Sequence, residues 1–340
     1  MNASVRALVV AFTGLIILGA QAPAGSHGAS AGQGPQTSTS RTQVNDTRTT
    51  KEEFDRWMTQ LSNWGRWGKD DELGAANLIT PAKRKQAAQL VKAGTTVSLA
   101  RSVVPLNKPG PIGQSNPLGQ DFVINDERQY VTELQQVYFH GTVYTHLDAL
   151  CHVAYGNKIY NGLSFKEAVT KDGGCAKMGV LALKDGIVTR GILLDIPRLK
   201  GIPYLPTGTH VYREDIEAWE KKAGVKISPG DAVFLRTGRR PNGFGLTAGW
   251  DASVAPLLKE RDVAIVGADV AQDVGTLPDV YLPIHRFVLV ALGATLIDNA
   301  DLEPLAETAA RLNRWDFLLA VAPTPVVKAT GSIINPIAVF

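Results

Sequence analysis

The chain has 340 residues, 35 Lys and Arg against 32 Asp and Glu, a net charge of +3 and two cysteines. So small a cationic excess, with no Lys/Arg run, gives no support to nucleic-acid binding. One disulfide at most can form, so the fold cannot rest on a disulfide framework and needs a hydrophobic core.

Arg6 precedes an apolar run from Ala7 to Leu18, and Ala20-Gln21-Ala22 fits a small-x-small cleavage site. Residues 1–22 therefore read as a signal peptide, and the mature protein as secreted or periplasmic. The run is short for a membrane span and no second one follows, so a mature form without membrane partners is expected. Residues 23–50 are rich in Gly, Ser, Thr, Gln and Ala and read as a disordered spacer, because they cannot bury enough apolar surface to offset ordering. The folded domain is expected over 51–340.

Within it, Glu52–Trp67 has a helical period, with Phe54, Trp57, Met58, Leu61 and Trp64 on the apolar side. Thr80 as N-cap and Pro81 at the first helical position predict a helix to about Lys92, stopped at Ala93-Gly94. Thr96–Leu99 reads as a strand. Residues 108–120, rich in Pro, Gly and Asn, read as a loop, either plain surface or a lid. The short apolar runs Val180–Leu183, Gly191–Ile196, Asp231–Arg236, Val263–Val266 and Phe287–Val290 fit strands buried on both faces. Arg213–Ala223 is the clearest amphipathic helix, and Ala248–Lys259 and Glu303–Arg314 are two more. Helices packed on buried strands point to the α/β class.

The chemistry concentrates in Thr145-His146-Leu147-Asp148-Ala149-Leu150-Cys151-His152. Alternate residues of a strand share a face, so His146 and Asp148 would face one cavity there, whereas on a helix they would point apart. The pair makes sense as a metal grip on a strand. His152 adds a ligand or a proton carrier. The plain alternative is a surface His, a capping Asp and a core His. His140 shares the parity but on a straight strand would lie roughly 20 Å away; it could join only if the chain doubles back, which Gly141 permits. His285, with Asp298 thirteen residues later, could complete or enlarge a metal shell, or Asp298 could cap a helix near Leu302. Asp269 follows a buried strand, where functional groups and plain loop carboxylates both occur; His210, just ahead of a helix, reads as structural. Cys151 could be free, or bonded to Cys175, or a nucleophile beside His152, though adjacent side chains on an extended chain point apart. No G-x-G-x-x-G follows a strand, and there is no Walker loop or G-x-S-x-G elbow, so nucleotide binding and serine nucleophile chemistry lack support.

These residues resemble the His-x-Gly-Thr-His-x-Asp-x-Pro-x-His motif of the metal-dependent cyclase-type hydrolases, the family of bacterial kynurenine formamidase and isatin hydrolase. Thr145, His146, Asp148 and His152 match in register. Trp67–Gly74, Asn77–Thr80, Tyr160-Asn161-Gly162 and Ile333–Pro336 are similar to the family's longer bacterial branch. Thr142 stands where the motif's first His is expected, Leu150 where its Pro is, and Asp298 where the downstream Glu is. The resemblance implies a swivelling β/β/α domain with a mixed central sheet flanked by helices, in a homodimer or larger homo-oligomer. It implies metal ligands at His146 and Asp148, with His140, His285 and Asp298 as further ones, and His152 as catalytic acid/base.

The expected function is an exported hydrolase that opens a cyclic amide or ester, or cleaves an aryl formamide, with Zn²⁺ or Mn²⁺ as cofactor. The metal would lower the pKa of a bound water to about 7 and polarise the substrate carbonyl. Trp64, Trp67 and Tyr144 would wall a flat small-molecule substrate, unless they are core. The altered first motif position leaves a second class open, an exported small-molecule binding protein on the same scaffold with a decayed site. A metal-free Cys/His hydrolase is a third.

Overall fold

Most of the apolar runs bounded by Gly and Pro become the centre of one sheet. The computed structural model describes residues 48–104, 118–238 and 247–340. The expected signal peptide, most of the spacer and most of the 108–120 loop lie outside the described residues. From edge to edge, a nine-stranded sheet runs Thr96–Ser98, Ile337–Val339, Asp316–Val321, Ile187–Asp195, Ala232–Arg236, Ile265–Ala268, Thr295–Asp298, His146–Asp148 and Gly331–Ile333. The four strands from Ile187–Asp195 to Thr295–Asp298 are parallel, and the rest pair antiparallel. Val233, Phe234, Leu235, Ile265, Val266, Leu296 and Ile297 are fully buried, as continuous apolar strands covered on both faces require. Helices Pro81–Ala88, Arg213–Ala223 and Glu303–Leu312 pack against this sheet. The fold is therefore α/β, a mixed central sheet flanked by helices.

Several boundaries differ from expectation for identifiable reasons. The first helix is Lys51–Gln60, capped by the Thr50 side chain on the Glu53 amide, and ends before Trp64. The second stops at Ala88. Ala248–Lys259 is a two-residue strand, Gly249–Trp250, then a 3₁₀ turn and a helix over Ala255–Glu260, because the Asp251 side chain caps the Ser253 amide and restarts the chain. Val180–Leu183 is a 3₁₀ helix, not a strand, and Phe287–Val290 belongs to a π-helix, Phe287–Leu292. All six side chains of that π-helix are buried, and a short segment that is apolar all round reads the same whether it is helix or strand. Arg213–Ala223 is a helix as expected, and so is Glu303–Leu312. Leu118–Asn125 and Tyr130–Val137 form a separate two-stranded hairpin. Among the described residues no helix is long and apolar enough to cross a membrane.

Cys151 and Cys175 are disulfide-bonded and no free cysteine remains, which closes the reading of Cys151 as a nucleophile. The bond ties the turn after the His146–Asp148 strand to the short Gly174–Cys175 strand, 24 residues apart in sequence. A loop of that length predicts about 3–4 kcal/mol of stabilisation by chain entropy. The Cys151→Ala/Cys175→Ala variant should lose that much in urea unfolding; a loss under about 1 kcal/mol would show that the bond adds little.

Candidate metal centre

The site forms where the antiparallel strand His146–Asp148 meets the end of the parallel strand Thr295–Asp298. Register pairs Asp298 with His146 and Leu296 with Asp148. Residues directly opposite share a face, so His146, Asp148 and Asp298 all point to one side, and all three are buried. Gly141, at φ +146°, turns the chain before this strand, and the doubling back brings His140 Nδ1 to 2.9 Å from Asp148 Oδ1. His152, beyond the turn, puts Nε2 at 3.9 Å from the same oxygen and stacks on His140 with ring centroids 3.8 Å apart. His285 comes from the Pro283–Arg286 turn, whose N-cap, Leu282, sits at φ +53°. Its Nε2 lies 3.3 Å from Asp298 Oδ2 and 3.7 Å from Asp148 Oδ2.

Each of three imidazoles has one nitrogen engaged outside the cluster and the other facing it. His146 Nδ1 is 3.0 Å from the Tyr144 carbonyl; a carbonyl only accepts, so Nδ1 carries the proton and Nε2 presents a lone pair 3.5 Å from Asp148. His140 Nε2 is 2.8 Å from the Thr330 hydroxyl, and its buried Nδ1 faces Asp148 Oδ1 at 2.9 Å without good alignment. His285 Nδ1 meets the Asp273 carboxylate at 2.5 Å. Such outward hydrogen bonds fix ring orientation and tautomer in metal-binding histidines. Gln272 Nε2 donates to Asp298 Oδ1 at 2.8 Å, and the Asn299 amide ties down the Gly141 and Tyr144 carbonyls.

Both Asp148 oxygens are buried and neither has a well-aligned hydrogen bond, His140 Nδ1 at 2.9 Å being the nearest donor. Burial alone would favour the neutral acid, but His152, His146 and His140 around it hold the carboxyl below the ordinary carboxylate range. Burial, aided by the neighbouring imidazoles and opposed by Asp148, pushes His152 down to about 4. Burial disfavours charge on His285 too, yet Asp298 and Asp273 outweigh it and raise its pKa well above the ordinary histidine value. Two ligand sets emerge, each with donor atoms within 4.8 Å of one another: His140, Asp148 and His152, and the buried set His146, Asp148 and Asp298. Asp148 belongs to both. His285 stands beside them, outside either set.

The other expected residues make contacts of their own. Trp64 donates its indole N–H to the Val290 carbonyl and packs over Gly162, and Trp67 lies under the Arg66 guanidinium. Tyr144 lines a cleft whose wall contains none of the cluster's histidines or aspartates. Asp269 caps the end of a neighbouring strand, accepting from the Thr237 and Gly238 amides. His210 pairs with Asp251 at 2.7 Å. The supporting residues Asp273, Gln272, Thr330 and Gly331 were not foreseen, since nothing in their local sequence marks them.

Gly331 matters through its lack of a side chain. It pairs with Asp148 in register, and a Cβ there would stand 2.2 Å from the Leu147 carbonyl and 3.2 Å from the His140 ring. Gly331→Ala must therefore move the strand or His140. We expect metal affinity to fall roughly 10–100-fold, as when a ligand's support is lost, measured by competition with a chromogenic chelator; unchanged affinity would place His140 outside the metal shell.

The chain belongs to the Cyclase family. Residues 47–272 match the family model described as "Putative cyclase". A crystal structure titled as a novel cyclase is 32% identical, with a TM-score of 0.74 over 83% of this chain and 99% of that one. Isatin hydrolase A of Ralstonia solanacearum is 15% identical, with a TM-score of 0.51 over 72% of this chain and 91% of that one. Isatin hydrolase A of Labrenzia aggregata, solved with benzyl benzoate, is 16% identical, with a TM-score of 0.50 over 74% and 94%. The last two share the fold. No curated protein matches the chain.

Proposed function

We propose that this chain is a metal-dependent hydrolase that cleaves the C–N bond of an amide, cyclic amide or formamide, or an ester bond, in a small molecule. One observation carries the reading: the buried Asp148 carboxylate has no well-aligned hydrogen bond, its nearest donor being His140 Nδ1 at 2.9 Å, yet nitrogens of four histidines surround it. A buried charge so poorly supplied with aligned donors is costly, and a divalent cation beside His146 Nε2 and the carboxylates lowers that cost. The nitrogen and oxygen donors suit Zn²⁺ or Mn²⁺, with His146, Asp148 and Asp298 as the buried holding set and His140 beside it. When bound, such an ion polarises a carbonyl and acidifies water.

The protein's own groups then handle the proton. His152 is at the rim, its side chain 23% exposed where those of His146 and Asp148 are 2% and 1%. With its pKa pushed down to about 4 it is neutral near pH 7 and free to accept a proton from the attacking water. The imidazolium so formed is a strong acid, readily giving that proton to the leaving nitrogen or oxygen, while Asp148, 3.9 Å away, steadies the charge in between. Asp273 and Asp298 grip His285 from both ring nitrogens and fix the cluster's inner wall.

His140, with Nδ1 2.9 Å from Asp148, adds an imidazole to the cluster, which supports a working site over the decayed-site alternative. The neighbours named isatin hydrolase lend the amide reading support through fold alone. The Cys151–Cys175 disulfide and the signal-peptide pattern support work in an oxidising compartment.

The test is turnover of a panel of aryl formamides, lactams and lactones, with and without chelator, on wild type and His152→Ala. Chelator-sensitive turnover is expected in wild type. The variant should keep its metal by elemental analysis but lose about 10²–10⁴-fold in kcat, the usual contribution of a positioned acid/base. Full activity in the variant would remove His152 from the reaction, and absence of chelator-sensitive turnover across the panel would favour a binding protein.

A further inference from the structure

A cleft of about 470 Å³ has Tyr144 and Thr145 in its wall, but none of the cluster's histidines or aspartates. Its volume is in the range of small-molecule pockets, roughly 300–1,000 Å³. Five of its lining side chains are branched aliphatics: Val103, Leu118, Val137, Ile333 and Ile334. Among the described residues that line it, Arg101 is the only formally charged one and none is an acid.

Arg101 is held in place by backbone and hydroxyl contacts. Its backbone amide donates to the Thr145 hydroxyl at 3.0 Å, and its guanidinium reaches the Thr142 and Asp269 carbonyls. Both guanidinium contacts are to backbone carbonyls, and a guanidinium with five N–H groups has donors left over. Two other lining residues offer donors. The Tyr144 hydroxyl is buried and has no hydrogen-bond partner, at a cost of order 1–3 kcal/mol for a buried polar group. Asn335 spends its Oδ1 on the Ser98 hydroxyl, 2.6 Å away, which leaves its amide N–H groups as donors.

A wall of aliphatic side chains with a fixed cation, spare donors and no acid is complementary to one class of ligand. We propose that this cleft is a second binding site, separate from the metal centre, for a small carboxylic acid with an apolar body. The carboxylate pairs with Arg101 and draws on the nearby donors, and the hydrocarbon part lies against the aliphatic wall. Arg presents N–H groups in a fork that fits a carboxylate in two-point contact. The inference does not depend on the hydrolase reading, since it uses no residue of the cluster.

The test is isothermal titration of the full chain with benzoate and hexanoate as probes, benzyl alcohol as the uncharged control, and chelator-stripped protein in parallel. At least one acid should bind saturably at one site, about tenfold or more tighter than the alcohol, and equally well to stripped protein and to Asp148→Ala. Arg101→Gln should weaken it about tenfold or more. Because Arg101 also supports two backbone carbonyls, a second variant is needed: Ala322→Leu narrows the cleft from an exposed lining position, leaves the guanidinium in place, and should weaken binding with an unchanged circular dichroism spectrum. Absence of saturable binding of either acid at millimolar concentration overturns the proposal. So does binding that Asp148→Ala abolishes, which would put the acid on the metal centre, or binding that survives both cleft variants.

Discussion

Asp148→Ala should leave the protein folded but unable to hold its metal, and turnover should drop to that of chelated wild type. Asp148 is the member shared by both ligand sets, so no arrangement of the remaining residues keeps three donors in either one. The loss of affinity should exceed the roughly 10–100-fold that follows loss of a ligand's hydrogen-bonded support, and the loss of rate should exceed the roughly 10²–10⁴-fold of a single acid/base. The fold should survive because the Asp148 carboxylate accepts from no backbone amide and its strand is held by backbone pairing on both sides. Elemental analysis with circular dichroism checks both halves. A variant that keeps a full complement of metal would contradict the shared-carboxylate account.

Asp231→Ala should be the most destabilising of the single substitutions considered for this chain. Asp231 is fully buried at the start of the Ala232–Arg236 strand. Lys83 forms a salt bridge to it, and Arg190 donates to both of its oxygens, at 2.9 and 2.6 Å. The Ser228 amide adds another donor at 2.8 Å. Lys83 is itself buried. Removing the carboxylate leaves the buried Lys83 ammonium with no charged partner, only the Ser228 hydroxyl, while Arg190 keeps the Lys226 carbonyl, the Ser228 hydroxyl and Asp316; breaking a buried pair this way costs about 3–5 kcal/mol. That cost should appear as a lower urea midpoint with unchanged slope. Lys83→Met/Asp231→Leu, which removes a cation together with the anion, should recover part of it. A loss under about 1 kcal/mol for Asp231→Ala would mean that solvent reaches the pair.

The neighbourhood of the metal centre was legible to different depths. His146 and Asp148 could be placed on one face from parity alone, because a strand's period of two leaves no other choice. Asp298, at the end of an apolar run, was readable as a carboxylate in search of a partner. His140 was readable only as conditional, since straight-strand geometry puts it far away and the decisive bend rests on the conformation of Gly141. Asp273, Thr330 and Gly331 left no trace, because each acts across the fold on a histidine 12, 190 or 191 positions distant. The Cys151–Cys175 bond was one of the readings left open, and spacing could not decide it. The sheet's central strands were legible as apolar runs, and the same signal misled at Val180–Leu183 and Phe287–Val290, where burial on all sides hides the period that separates helix from strand. Trp64 shows the reverse limit: an aromatic residue near a glycine-rich turn suits a substrate wall as well as it suits packing over Gly162.

The central claim is that a divalent cation sits among His146, Asp148 and Asp298. Anomalous scattering from a crystal of the full chain saturated with Mn²⁺, collected in parallel with one holding Zn²⁺, reads this directly. The account predicts a peak about 2.0–2.2 Å from His146 Nε2 and an Asp148 oxygen. A saturated crystal with no peak there, or with its only ordered ion elsewhere on the protein, would contradict it.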